Sequence, residues 1–302
     1  MNLIALLIGL FVERVATQLF HLRELRRLDN IIDAGFRFAE RFSKWPPLLS
    51  VILLAIVLVL PVALAVYLAG DALFGFAYLI FAVVVLFFSL GPKDIGEDID
   101  DYCSAIAEAD DERVAATSKA LIEQDAPQDL DERTARVEEA VCIQANNRLF
   151  AVVFWFVLLG PLGAWSYRVT DLIRRRAVFR HIREESSTTQ EQVVDAAGQL
   201  HGWLAWIPAR LTAIGYALAG SFDAAISNWR EPAAATSKSQ HEQSEALLAR
   251  VGTGALALST RADESPPDRA IRGGKAAKGL VGRLLFIWAA VIAAMTLYGW
   301  SV

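Results

Sequence analysis

Residues 48–69 read LLSVILLAIVLVLPVALAVYLA and contain no charged side chain. A helix rises about 1.5 Å per residue, so about 20 apolar residues are enough to cross roughly 30 Å of hydrocarbon. This segment is therefore predicted to be a transmembrane helix. Inside a membrane the backbone must satisfy its own hydrogen bonds, which an α-helix does within one segment.

Three further segments have the same character. Residues 72–90, 149–167 and 284–302 each run for 19 residues without a charge. Over the whole chain of 302 residues, 55% are hydrophobic and 21% charged, which is more apolar than a soluble domain of this size. The predicted fold class is all-α: a polytopic helical membrane protein with a cytoplasmic helical region and a broken or re-entrant helix.

The N-terminus is apolar for 12 residues, up to Glu13 and Arg14. It lacks the basic start and the small-residue cleavage site of a signal peptide. We expect a first span near 1–20 in which Glu13 faces other helices, because a carboxylate exposed to lipid is costly. The alternative is a short interfacial helix that stops near residue 12.

Basic residues beside the spans predict the orientation, because cytoplasmic loops carry an excess of Lys and Arg. Residues 20–47 and the stretch before the last span are both basic, whereas the link Gly70-Asp71 and residues 284–302 carry no basic residue. The segments 48–69 and 72–90 then form a hairpin with its tip outside the cytoplasm. We predict an inner-membrane, multi-pass protein whose main polar segments are cytoplasmic and whose termini both lie outside.

The segment 149–167 does not fit a simple span. Basic residues flank it on both sides, and its middle reads Gly160-Pro161-Leu162-Gly163. Proline removes an amide donor and glycine weakens a helix, so we predict a break there. Broken helices at membrane depth occur where protein or a watery cavity surrounds them. The alternative is that 149–167 and 203–222 both cross, which would give six spans.

Residues 91–148 form an acidic region with 16 acidic and 6 basic side chains, although the net charge of the chain is only −5. Apolar residues recur there at helical spacing, which predicts cytoplasmic helices near 92–109, 111–124 and 131–147. The acidic pair Asp94 and Asp98 lies four residues apart, a spacing that suits a Mg²⁺–phosphate site on one helix face. The alternative is a solvated acidic face, and we expect no resident cofactor unless a nucleotide or Mg²⁺ binds here.

The remaining segments complete the predicted organisation. Residues 149–230 are expected to hold re-entrant or interfacial helices with a basic connector, 231–283 a cytoplasmic linker around a short helix near 238–259, and 284–302 the C-terminal span. Rings at Trp203, Trp206, Tyr216 and Trp229 indicate interfacial anchoring. The basic residues form no patch interleaved with aromatic side chains, so membrane lipid is an expected partner and nucleic acid is not.

Three motifs carry a family resemblance. They are SLGPKD at 89–94, ANNRLFAVVFWFVLLGPLGAWSYR at 145–168 and WIPARLT at 206–212. Together with the N-terminal LFVER at 10–14, they resemble the AmpE family of inner-membrane proteins, within the wider superfamily of the cobalamin-biosynthesis proteins CobD and CbiB. The resemblance implies a regulatory or sensory protein that modulates β-lactamase induction, with a functional link to the pathway of the amidase AmpD.

The chain also departs from the ligases of that superfamily. Where those typically carry an acidic Glu-Asn pair and an Asp, this sequence has Ile143-Gln144 and Asn147, and Arg174 ends the segment where they have Asn-Thr-Leu-Asp. Their Ser-Pro-Asn-Ala-Gly segment is missing before Gly252. These differences would remove contacts to phosphate, metal or substrate, so the resemblance implies a protein that is not an enzyme.

A polar cluster at the membrane boundary is the predicted ligand site. Arginine presents a fixed fork of donors that suits phosphate or carboxylate, and an arginine in an apolar stretch is costly unless it is paired. We expect an anionic small molecule or a cell-wall fragment to bind below the break at residues 160–163. The alternative is structural: Arg210 snorkels or pairs with Glu139, and Arg168 anchors the interface. The predicted site residues are Glu139, Asn147, Arg148, Tyr167, Arg168 and Arg210.

Three functions from different classes follow. The resemblance favours a non-catalytic modulator of β-lactamase induction. One alternative is an adenosylcobinamide-phosphate synthase of the CobD/CbiB kind, an amide ligase. The second alternative is a membrane transporter, which the predicted broken helix and intramembrane charges suggest.

Overall fold

The computed structural model describes residues 6, 9, 26–41, 45–69, 76–91, 94–183, 188–231, 239–259, 261 and 263–298. These residues form helices and no strands, which confirms the all-α class. Apart from Leu6 and Gly9, the predicted first span near 1–20 lies outside the described residues. The helices in chain order are α1 (Arg26–Arg41), α2 (Pro47–Ala69), α3 (Phe76–Ser89), α4 (Ile95–Ala107), α5 (Asp111–Ile122), α6 (Leu130–Ala145), α7 (Ala151–Arg183), α8 (Thr188–Ala219), α9 (Phe222–Arg230), α10 (Gln240–Leu256) and α11 (Pro266–Leu297).

Three helical stretches of the described chain are long and apolar enough to cross a membrane: Pro47–Leu68, Leu130–Arg183 and Pro266–Met295. The protein is therefore a helical membrane protein. The second of these stretches is not straight, as described below. Helix α3 is apolar but has 14 residues, and the predicted span 72–90 is described only from Phe76 onward.

The acidic region folds as the spacing predicts, with small differences at the ends. Helices α4, α5 and α6 each begin at an aspartate N-cap: Asp94, Asp110 and Asp129. Each carboxylate accepts a hydrogen bond from a backbone N–H in the first turn, which satisfies a donor that the helix itself leaves free. Helix α4 therefore begins at Ile95 rather than at the residue 92 expected from Pro92.

Helix α11 begins earlier than predicted. The expected linker 231–283 contains α10, close to the expected 238–259, but residues 266–283 are helical and continuous with the C-terminal apolar segment. Pro266 supplies a fixed φ at the first helical position, and Ser265 accepts from Asp268 N–H as a cap. The polar first half of α11 packs on the acidic region through Lys278–Asp100 at 2.5 Å and Arg269–Glu138 at 2.5 Å.

The core consists of three hydrophobic clusters. One lies among α4, α5, α6, α8, α9, α10 and the first half of α11. A second lies among α3, α7, α8 and α11 on the apolar side of the molecule. The third joins α1 and α2 to α7 and α8. Helix α8 contributes to all three clusters and α7 to the second and third, so α8 connects the acidic region to the apolar helices.

The break predicted in 149–167 is at Gly160. Its φ of 65° and ψ of −154° are not helical, and they separate residues 151–159 from 161–183 within α7. The Tyr167 hydroxyl donates to Asn147 Oδ1 at 3.3 Å, although 20 residues of straight helix would span about 30 Å. The chain therefore turns back at Gly160, and both ends of the segment lie on the same side. Leu158 and Leu159 at the tip are 49% and 57% exposed, as an apolar tip inserted in lipid requires.

Candidate functional site

A single π-helical turn, Asn146–Phe150, joins α6 to α7. Turns of this kind are wider than an α-helical turn and occur frequently at functional sites. Here the consecutive side chains of Asn146, Asn147 and Arg148 are all buried. Asn146 Nδ2 donates to Asn147 Oδ1 at 3.0 Å, and Thr212 Oγ1 donates to Asn146 Oδ1 at 3.0 Å. The π turn is thus tied to the middle of α8.

Arg148 connects the π turn to α4 and α5. Its Nη1 donates to Asp98 Oδ2 at 2.9 Å and its Nη2 to Glu123 Oε1 at 3.1 Å. Its Nε donates to Gln144 Oε1 at 3.0 Å. All the donor nitrogens of Arg148 therefore have an acceptor within the protein, and this arginine is structural in the state described here.

Gly91 of the motif 89–94 packs against Arg148 so closely that no side chain fits there. Gly91 N–H donates to the Arg148 carbonyl oxygen at 3.1 Å. A Cβ at Gly91 would lie 2.7 Å from the Arg148 Cβ, closer than two carbon atoms can approach. The absence of a side chain at Gly91 lets the end of α3 pack directly against the π turn.

Asp171 is shared by three arginines. Its carboxylate accepts from Arg168 Nη1 at 3.0 Å, from Arg174 Nη2 at 3.1 Å and from Arg175 Nε at 2.9 Å. The Asp171 side chain is 1% exposed, so these charges interact where water screens them little. Asp171 alone therefore supplies one negative charge to three guanidiniums.

Glu123 joins the two groups of arginines. Its carboxylate is bound by Arg175 and by Arg148, which flank the folded-back segment on opposite sides. Burial acts to raise the pKa of Glu123, but the charges of Arg175 and Arg148 outweigh it and lower the pKa. Glu123 also has a left-handed backbone conformation with φ of 61°, which is unusual for a residue with a Cβ.

A pair of buried histidines lies beside this cluster. The rings of His201 on α8 and His241 on α10 have centroids 5.1 Å apart, and the Tyr167 ring is 5.0 Å from His201. Thr170 Oγ1 lies 3.3 Å from His201 Nδ1, and Glu245 Oε1 lies 3.2 Å from His241 Nε2. Burial lowers the pKa of His201 and of His241, so both rings are neutral at pH 7.

Several buried nitrogens of the cluster have no hydrogen-bond partner. They are Arg168 Nε, Arg174 Nε, His201 Nε2 and His241 Nδ1. Unpaired buried polar groups are costly, and each one calls for a physical explanation. Three helices, α7, α8 and α10, bring them into one polar region. The unpaired guanidinium nitrogens are donors that suit an anion with several oxygens.

Four of the six predicted site residues come together here: Asn147, Arg148, Tyr167 and Arg168. Glu139 and Arg210 do not join them. Glu139 is partly exposed and pairs with Arg136 at 3.3 Å. The Arg210 guanidinium stacks on the Trp206 ring at 3.8 Å and donates to the Trp206 carbonyl oxygen. The expected structural pair Arg210–Glu139 is not formed.

The predicted metal pair is also separated. Asp94 caps α4 by accepting from Gly96 N–H at 2.6 Å, whereas Asp98 is buried against Arg148. Within the described parts of the chain, no three His, Cys, Asp or Glu side chains are grouped so that they could hold a metal ion. In this state Asp94 therefore acts as a helix cap, and Asp98 forms an ion pair.

Sequence reasoning missed the centre of the cluster. Asp171, Glu123, Arg174 and Arg175 were not predicted as site residues, and neither were His201 and His241. Asp171 did carry a signal, because three consecutive arginines begin three residues after it, at Arg174. The histidines carried none, since a single histidine on a helix is indistinguishable from a packed core residue until its neighbours are known.

The whole sequence, residues 1–302, matches the family described as "Regulatory signalling modulator protein AmpE". The chain belongs to the AmpE family. "Protein AmpE" of Shigella flexneri is 26% identical over 314 aligned residues, which cover 99% of both chains. AmpE-family membership and the apolar helices together agree with a membrane protein of regulatory type.

Two relatives that are named CobD rather than AmpE are also similar to this chain. "Cobalamin biosynthesis protein CobD" of Stutzerimonas stutzeri is 29% identical over 152 residues, or 50% of this chain, which spans about half (48%) of that relative. The CobD protein of Chromobacterium violaceum is 27% identical over 244 residues, which cover 73% of this AmpE-family chain and 72% of the relative. No solved structure matches the chain.

Proposed function

We propose that this AmpE-family protein is a non-catalytic inner-membrane regulator that modulates β-lactamase induction by binding an anionic ligand at the cluster around Asp171. The family supports the regulatory class. The cluster supports the anion, because the buried Nε atoms of Arg168 and Arg174 lack acceptors there. The ligand is a phosphate-bearing small molecule or an acidic cell-wall fragment, which would link the protein to the pathway of the amidase AmpD.

One observation carries the anion site: Arg168 is buried, donates to the carboxylate of Asp171, and leaves its Nε without an acceptor. Asp171 is itself shared with Arg174 and Arg175, so it cannot neutralise Arg168 alone. An added anion would supply the missing acceptors and reduce the repulsion among the three guanidiniums.

The folded-back segment supports the proposed placement of this site. Residues on both of its flanks, Arg148 and Arg175, bind Glu123 in the acidic region, so the cluster lies at the base of the turn. With the acidic region in the cytoplasm, the cluster faces the cytoplasmic boundary and the tip at Gly160 points into the membrane. Both termini would then lie outside.

A complementation experiment tests the proposal. A strain that lacks the gene receives the wild-type protein, Arg168→Lys or the control Arg136→Gln, and β-lactamase activity is measured with and without a β-lactam inducer. We expect deletion to change induction, and Arg168→Lys to behave like the deletion, because lysine keeps the charge but not the fork of donors. Membrane levels are compared by immunoblot.

The control Arg136 lies on the exposed surface in a pair with Glu139, so Arg136→Gln should restore wild-type induction. Unchanged induction in the deletion strain would overturn the regulatory proposal. Arg168→Lys that restores induction fully would overturn the assignment of the ligand site while leaving the regulatory role intact.

A second candidate follows from the CobD relatives, which align with up to 73% of this chain. An amide ligase of this kind should restore cobalamin production in a strain that lacks CobD. We expect no restoration, because Asn147 and Arg174 stand where the ligases typically carry carboxylates. Growth of the complemented strain without added cobalamin would favour the ligase instead.

A further inference from the structure

The buried histidine pair lies where α8 packs against α10. His201 and His241 face each other across this contact, with His201 Nδ1 3.3 Å from Thr170 Oγ1 and His241 Nε2 3.2 Å from Glu245 Oε1. The approach is close because Gly202 has no side chain: a Cβ there would lie 2.8 Å from the His241 backbone nitrogen. The two rings are thus held together by the backbone packing.

The charges around the pair leave no excess of positive charge while the rings are neutral. Four arginines of the cluster, at 148, 168, 174 and 175, lie among five carboxylates, at 98, 123, 171, 242 and 245. Such a cluster accepts a dianion only if other positive charge enters with it, because an uncompensated buried charge is strongly unfavourable. The histidine rings are the groups in this region that can take up a proton near neutral pH.

We propose that the anion site around Asp171 is proton-coupled: it binds a dianionic phosphate- or sulfate-type group together with a proton taken up by the His201–His241 pair. The proposal rests on the anion site described above. It commits the ligand to a group with two negative charges, rather than to a single carboxylate.

The surroundings of the pair suit a shared proton. From α7 the rings face Asp171, Arg174 and Arg175, and from α10 they face Glu242 and Glu245. Without an anion, the arginines oppose protonation and burial adds to the cost. With a dianion beside Arg168 and Arg174, their charges are compensated, so protonation becomes favourable. His201 Nε2 and His241 Nδ1 have no partners and are available to bind a proton.

Binding and protonation must then assist each other equally, because the two equilibria are linked. Anion affinity should rise as the pH falls, by up to about tenfold per pH unit for each proton taken up. Sulfate is the appropriate probe, since its charge stays at −2 throughout the pH range used. Phosphate would itself change charge near pH 7 and obscure the result.

The experiment is isothermal titration calorimetry of sodium sulfate into the full-length protein in nonionic detergent, at pH 6.0 and pH 8.0 and constant ionic strength. Repeating the titration in two buffers with different ionisation enthalpies counts the protons taken up. We expect sulfate to bind at least fivefold more tightly at pH 6.0, with net proton uptake.

Histidine variants test whether the His201–His241 pair takes up the proton. His201→Gln and His241→Gln should each reduce the pH dependence and the proton uptake, while the control His181→Gln, in the last turn of α7, should leave both unchanged. Two variants are used because one substitution in a buried pair can prevent folding. The number of protons taken up on sulfate binding is measured on the wild-type protein, so it does not depend on whether either variant folds.

The outcomes separate the two proposals. Sulfate that binds equally at both pH values, without proton uptake, overturns the coupling and leaves the anion site standing. Proton uptake that persists in both histidine variants also overturns the assignment to this pair. No sulfate binding at either pH overturns the anion site itself, and the coupling with it.

Discussion

Asp171 is the residue on which the cluster depends most. Three guanidiniums share its carboxylate, and the side chain is 1% exposed. Asp171→Asn should therefore destabilise the protein by about 3–5 kcal/mol, because it leaves buried arginines without their counter-charge. Thermal unfolding in detergent, followed by circular dichroism, measures the effect as a lower Tm.

A matched control is available on the surface. Glu139 pairs with Arg136 at 3.3 Å, and its side chain is 38% exposed. Glu139→Gln should cost at most about 1 kcal/mol, since water screens exposed pairs. Equal losses in Asp171→Asn and Glu139→Gln would show that the Asp171 contacts add no stability beyond an ordinary surface pair.

Only some residues of this cluster could be predicted from the sequence, and the reason is physical. Arg148, Tyr167 and Arg168 follow from a motif and from the cost of charge near apolar helices. Glu139 and Arg210 met the same criteria but lie elsewhere, because composition cannot say which face of a helix is buried. Glu123 is 48 residues from Asp171 in sequence, so only the folded chain brings their arginine partners together.

The turn at Gly160 controls the shape of α7. Its φ of 65° is in the region that residues with a Cβ avoid, so Gly160→Ala should cost about 1–3 kcal/mol. The control is Gly198→Ala in α8, where a Cβ would meet nothing within 4 Å. Alanine favours a helix there and should stabilise the protein by about 0.4–1 kcal/mol.

Chemical denaturation of the two glycine variants in detergent provides the comparison. A Gly160→Ala protein as stable as the wild type would mean that the segment does not need the turn that folds it back. The break itself was predictable from Gly160-Pro161. The π turn at 146–150 and the early start of α11 were not, because both depend on packing against α4, α6 and α8.

At the scale of the whole molecule, the buried histidines make stability depend on pH. The pKa values of His201 and His241 are lowered in the folded state, so below the ordinary value of about 6.5 the unfolded chain binds protons that the folded protein does not. Stability should fall as the pH decreases from 7.5 to 5.5 without added anion. The lowered pKa of Glu123 matters only at more acidic pH, below the ordinary glutamate pKa of 4.5.

Thermal unfolding of the full-length protein at pH 7.5 and 5.5 checks this dependence, and His201→Gln provides the comparison. The Tm of the wild type should be lower at pH 5.5, by an amount that shrinks in the variant. A wild-type Tm that is unchanged or higher at pH 5.5 would mean that the histidines are not buried as neutral rings.

Membrane topology is the largest-scale consequence of the fold. Arg148 and Arg175 both bind Glu123, so the acidic region and the residues after the turn at Gly160 must lie on one side of the membrane. Labelling with an impermeant maleimide tests this on three single variants: Asp125→Cys, Arg183→Cys and Tyr298→Cys. The native thiols Cys103 and Cys142 are buried, which keeps the background low.

From the positive charge beside the spans, we expect this shared side to be cytoplasmic. Position 298 should therefore react in intact spheroplasts, whereas positions 125 and 183 should react only after the membrane is permeabilised. Labelling of 183 but not 125 from outside would contradict the folded-back segment, since it would require α7 to cross. Labelling of both from outside would keep the fold and reverse the orientation, which would move the anion site out of the cytoplasm and away from any cytoplasmic ligand.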